Sequence, residues 1–124
     1  MLIDTNLIIY SVHPDYPQLR RWLIGQKSRA ISVISRVEAL GYHRLSDVGR
    51  RSIEAVLDHM DILYPTVKTF ENAIHLRQKR NISLGDALIA ATALEHRQAL
   101  VTANVEDFLW ITDLTVINPL ETPA

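Results

Sequence analysis

The sequence predicts an α/β fold: a three-layer α/β/α sandwich around a central parallel sheet of about five strands. Two observations carry this expectation. Short apolar runs alternate with helical patterns along the chain, an order that favours parallel strands joined by helical crossovers. The runs are continuous instead of alternating, as expected for strands covered on both faces. The 124 residues, 48% hydrophobic and 22% charged, suffice for one core and read as a single domain over 1–124.

Strands are expected at 1–3, 30–34, 62–64, 99–102 and 114–117. A helix at 16–25 follows the Pro14-Asp15 turn, gathers Leu19, Trp22 and Leu23 on one face and stops at Gly25. Two helices, 36–45 and 48–60, are separated near Ser46-Asp47. Thr66 is placed to cap a helix through Val67, Phe70, Ala73, Ile74 and Arg77. The segment 85–96 is almost wholly apolar after its first turn, so it reads as a buried helix. A short helix is expected before the last strand.

Several function classes are excluded or disfavoured. With no cysteine there is no disulfide, thiolate metal site or cysteine nucleophile. The first residues carry no basic segment and no long apolar run, so no signal peptide is expected. No apolar stretch is long enough to span a bilayer, and a cytoplasmic location is expected. The net charge of −1 does not advertise nucleic-acid binding, although an acidic pocket and a basic rim can coexist on one molecule. The five histidines show no paired spacing and read as surface or structural residues. Trp22, Tyr42, Phe70, Phe108 and Trp110 read as packing residues.

The acids are more informative. Asp4, Glu38 and Asp86 each follow an apolar run, and Asn104 and Asp107 follow another. In open parallel sheets, ligands bind beyond the carboxyl ends of the strands, so these positions should converge at one sheet edge. Each has a local explanation: Ser35-x-x-Glu38 and Ser83-x-x-Asp86 match capping boxes, and Asp4 and Asn104 fit simple N-caps. Together they ask for more. Two carboxylates about 4 Å apart repel by about 4 kcal/mol at an effective dielectric of 20. A helix N-terminus returns only about 0.3–1 kcal/mol. Either one acid is protonated or a cation is present. All-oxygen donors favour Mg²⁺ or Mn²⁺ over zinc.

Four segments carry a family resemblance: Leu2-Ile3-Asp4-Thr5-Asn6; Ser32-Val33-Ile34-Ser35-Arg36-Val37-Glu38; Gly85-Asp86-Ala87-Leu88-Ile89-Ala90-Ala91-Thr92-Ala93; and Leu100-Val101-Thr102-Ala103-Asn104 with Asp107-Phe108. In this order and spacing the whole chain resembles PIN-domain ribonuclease toxins of the VapC type. The resemblance implies a metal-dependent endoribonuclease, the toxin of a toxin–antitoxin pair, that leaves 5′ phosphates. It implies Asp4, Glu38 and Asp86 as ligands of Mg²⁺ or Mn²⁺. The family's fourth acid falls at Asn104, which still offers an amide oxygen, and Asp107 is placed to restore the charge. Thr5, Asn6 and Thr102 are expected beside the ligands. Arg36, Arg77, Lys79 and Arg80 are the candidate RNA contacts. The implied partners are RNA, an antitoxin protein and a second copy of the chain. An RNA-maturation nuclease without antitoxin and a catalytically silent binding module are the competing readings.

Overall fold

The computed structural model describes residues 1–121. The last three positions of the expected domain lie outside the described residues. Five short strands form one sheet: β1 (Leu2–Ile3), β2 (Ala30–Ser32), β3 (Asp61–Leu63), β4 (Leu100–Val101) and β5 (Val116–Ile117). The spatial order is β3-β2-β1-β4-β5, and every pair is parallel. Leu2 stands opposite both Ala30 and Leu100, and Ile3 opposite Val101.

That register explains the two-sided burial. Because side chains alternate along a strand, Leu2, Ala30 and Leu100 enter one core cluster. Ile3, Ile31 and Val101 enter the other. The first cluster is covered by α5 (Val67–Lys79) and α6 (Leu84–Glu95). The second is covered by α1 (Thr5–Ser11), α2 (Pro17–Gly25), α3 (Val33–Leu40) and α4 (Asp47–Leu57). Helix α6 is the innermost: all seven residues from Ala87 to Ala93 are buried, which is why its pattern is apolar all round. Its one buried hydroxyl, Thr92, donates to Leu88 O at 2.7 Å. Among the described residues no helix is long and apolar enough to cross a membrane.

The elements depart from expectation in three places. Helix α1 was not among the expected helices; it begins directly after the two-residue β1, with Asp4 as N-cap accepting from Thr5 N. The second strand ends at Ser32 instead of continuing to Ile34. Ser32 caps α3 by accepting from Ile34 N, so α3 starts three residues early and ends at Leu40. Ser35 is therefore inside the helix, and the Ser35–Glu38 capping box does not form. Not all the aromatic residues pack as expected either: Phe108 is fully buried, but Tyr42 and Phe70 are about half exposed, at 54% and 49%.

Candidate metal centre

The sheet order reverses between β1 and β4. Strands on either side of that point send their following segments apart, which opens a crevice at the carboxyl edge. Asp4 leaves β1 at this crevice, and its backbone N–H donates to Val101 O of β4 at 2.8 Å. Helix α1 starts at this edge directly after β1, and the first turn of α6 comes near it through the approach of Gly85 to Glu38.

Asp4 forms the buried floor, with 4% of its surface exposed. Its Oδ1 accepts from Thr5 N and its Oδ2 from the Thr102 hydroxyl, both at 2.8 Å. Thr102 Oγ1 in turn accepts from Asn104 N at 3.0 Å. The Thr5 hydroxyl donates to Glu38 Oε1 at 2.7 Å, and buried Ser35 Oγ lies 2.9 Å from the same hydroxyl. Thr5 therefore ties Asp4 to Glu38. Asn6 Oδ1 accepts from Ala103 N at 3.5 Å, a long bond that holds the β4 exit beside α1.

Asp86 stands in the first turn of α6, where Ser83 Oγ accepts from its backbone N–H at 3.1 Å. Half of the expected capping box thus exists. Glu38 packs against this turn: a Cβ built on Gly85 would lie 2.8 Å from Glu38 Oε2. Gly85 is the residue that lets two acidic side chains from different helices approach. Glu38 is exposed at the rim, with Asp86 partly buried behind it.

The carboxylates sense one another. Burial pushes Asp4 from 3.8 up to about 6; the Thr102 bond opposes this, the charge of Asp86 adds to it, and Glu38 adds a smaller share. Asp86 is also raised, first by burial and then, against its Ser83 bond, by the charges of Asp107 and Glu38. Asp107, in the single 3₁₀ turn Val105–Asp107, thus acts on Asp86. Asn104 precedes that turn without a side-chain cap bond, so its expected N-cap role is not made. It lines a cavity of about 290 Å³ with Glu106, Asp107 and Glu121.

This donor set fits a hard divalent cation: it is all oxygen, partly desolvated and strained by like charge. Among the described residues no three His, Asp or Glu side chains stand as a ready-made cage.

The PIN domain matches residues 1–109. This chain belongs to the PIN domain family. Ribonuclease VapC1 of Rickettsia felis is 27% identical over 94% of this chain and 94% of its own length. A toxin-antitoxin complex from Klebsiella pneumoniae is similar at a TM-score of 0.74 and 29% identity, over 95% of this chain and 96% of that one. VapBC2 from Rickettsia felis, bound to a promoter DNA fragment, is similar at a TM-score of 0.78 and 25% identity, over 94% and 96%. The chain is a PIN domain of the VapC type, as its motifs suggested.

The expected RNA contacts of this PIN domain are dispersed. Arg36 lines a shallow apolar groove on α3 with Val33, Val37 and Leu40. Arg77 Nε donates to Ile82 O at 3.3 Å, bracing the α5–α6 turn. Lys79 lines a cavity with His75 and Asp113. Arg80 lies over the Trp110 ring, 5.4 Å from its centroid. Two contributors escaped the sequence reading. Ser35 was taken for a cap, although its i, i+3 spacing from Glu38 places both on one helix face. Gly85 was read only as part of a motif, although a glycine in a first helical turn is itself a signal of close approach.

Proposed function

We propose that this chain is a Mg²⁺- or Mn²⁺-dependent endoribonuclease and the toxin of a toxin–antitoxin pair. One observation carries the reading. The Thr5 hydroxyl holds Glu38 beside the residue that follows Asp4, Glu38 packs on the Gly85 turn that carries Asp86, and the charges of Asp86 and Glu38 both act on Asp4. The VapC relative and the toxin-antitoxin structures support the biological role. The antitoxin partner, the homodimer, the cytoplasmic location and the single-domain organisation over 1–124 belong to the same proposal.

Asp4, Glu38 and Asp86 would hold the cation, with Asn104 or Asp107 as the fourth donor. When bound, a divalent ion supplies Lewis acidity at a phosphate oxygen and lowers the pKa of a bound water. The protein's own contribution is positional. Thr102 and Thr5 fix the two Asp4 oxygens, each of which keeps further acceptor capacity. Asp4 is one candidate acceptor for a proton from the water. Asp86 is the alternative acceptor. Asp107 adds negative charge beside Asp86, making up for the amide at position 104.

Incubation of the purified protein with single-stranded RNAs tests this. Cleavage is expected with Mn²⁺ and is expected to stop in EDTA. Asp86→Asn and Asp4→Asn should each lower the rate by about a hundredfold or more, with circular dichroism unchanged. Full activity in both variants would reject the site.

A further inference from the structure

We propose that Arg80, held over the Trp110 ring, grips the RNA phosphate next to the one being cleaved. The inference rests on the ribonuclease reading and deepens it by assigning a substrate contact to one residue.

The geometry singles out Arg80 among the four candidate cations. Arg77 is engaged with the Ile82 carbonyl. Lys79 lines a cavity shared with Asp113. Arg36 stands on an apolar groove of α3. Arg80 is exposed, and among the described residues it makes no ion pair. Its guanidinium lies over the Trp110 ring, 5.4 Å from the centroid, and the ring face attracts the cation. The planar fork of a guanidinium is suited to two phosphate oxygens at once.

Both ends of this stack lead to the acidic crevice. Trp110 Nε1 donates to Asp107 O at 2.8 Å, so the ring is fixed to the turn whose carboxylate faces Asp86. Arg80 is the C-cap of α5, three residues before Ser83, which caps the Asp86 turn. The backbone at Arg80 is extended, so the side chain leaves the helix end and turns to the ring. A cation held by the ring that bonds the Asp107 turn also eases an electrostatic difficulty. A polyanion approaching an acidic crevice is repelled unless a positive group meets its neighbouring phosphate. In this arrangement Arg80 is a binding residue, and Trp110 is the positioning residue that sets its orientation.

The test separates binding from cleavage. Fluorescence anisotropy with a labelled single-stranded RNA is read in EDTA, between about 50 and 300 mM NaCl. Relative to the unmodified protein, Arg80→Ala should weaken binding about tenfold. It should also reduce the slope of log K against log salt by about 0.7, as loss of one phosphate contact on a single strand requires. Arg80→Lys should keep the salt slope but bind more weakly, because a lysine cannot stack and fork in the same way. Trp110→Phe keeps a ring face and loses only the bond to Asp107 O; it should raise KM in Mn²⁺ while leaving kcat within twofold. An unchanged affinity and slope in Arg80→Ala would overturn the assignment, as would a Trp110→Phe defect confined to kcat. RNA binding that depends on Arg80 without any Mn²⁺-dependent cleavage would sink the nuclease reading and leave the contact standing.

Discussion

At the scale of single residues, Asp4 carries the chemistry and also a cost. Its ordinary value is 3.8 and its folded value is about 6, so the folded state holds the proton more tightly than the unfolded chain. Stability from this group is complete below about pH 4 and is lost as pH rises through 6. A shift of this size corresponds to about 3 kcal/mol. The direction is opposite to that of Glu95, whose carboxylate is lowered by bonds from Thr66 and Thr69 and whose contribution is lost as pH falls. We therefore expect urea unfolding in EDTA, compared at pH 4.5 and 7.5, to show a stability difference between the unmodified protein and Asp4→Asn that changes with pH. Asp4→Asn should gain on the unmodified protein as pH rises, since a neutral amide escapes the charge penalty. Parallel pH profiles for the two proteins would contradict the burial argument.

At the scale of elements, the meeting of α3 and α6 depends on the absence of one methyl group. Alanine at position 85 would favour the helix by up to about 1 kcal/mol. Its Cβ would also lie 2.8 Å from Glu38 Oε2 and 3.4 Å from Glu38 Cδ. The exposed Glu38 side chain can swing away, so the fold survives and the Thr5–Glu38 bond is lost. Gly85→Ala should thus keep or slightly raise the melting temperature and lower Mn²⁺-dependent cleavage about tenfold or more. Full activity with normal Mn²⁺ affinity would show that Glu38 is not needed where it stands. The same junction shows what sequence could and could not convey. The apolar run of α6, the Thr66 cap and the strand positions follow from periodicity and capping, which are local. The start of α3 does not: Ser32, Val33 and Ile34 suit a strand equally well, and only Ser32's bond to Ile34 N ends it. Asp4 was readable as an N-cap, but the extent of α1 was not, because its seven residues are short for a periodic pattern and pack against partners distant in sequence. The convergence of Asp4, Glu38 and Asp86 was readable from strand order and motif. The hydroxyl links through Thr5, Ser35 and Thr102 were not, because they join residues about 30 and 98 positions apart.

At the scale of the whole molecule, a cation at the crevice would tie together segments that unfolding separates. The three carboxylates leave from β1, α3 and α6, which lie on both sides of the sheet's reversal point. The described fold has no disulfide to make such a link and pays for the site with unrelieved repulsion between acids. Binding to the folded state alone stabilises by about 2.7 kcal/mol at a hundredfold excess over Kd. For a domain of this length, with an unfolding entropy of about 2.1 cal/mol/K per residue, that is a rise in Tm of about 10 °C. Thermal unfolding with and without saturating Mn²⁺ should show this rise in the unmodified protein. It should be largely absent in Asp4→Asn and Asp86→Asn, each of which removes a charge from a different element. Because the readout is stability, it holds even when no RNA substrate is supplied. An equal rise in both variants would place the ion elsewhere on the molecule, and the crevice would lose its claim as the metal centre.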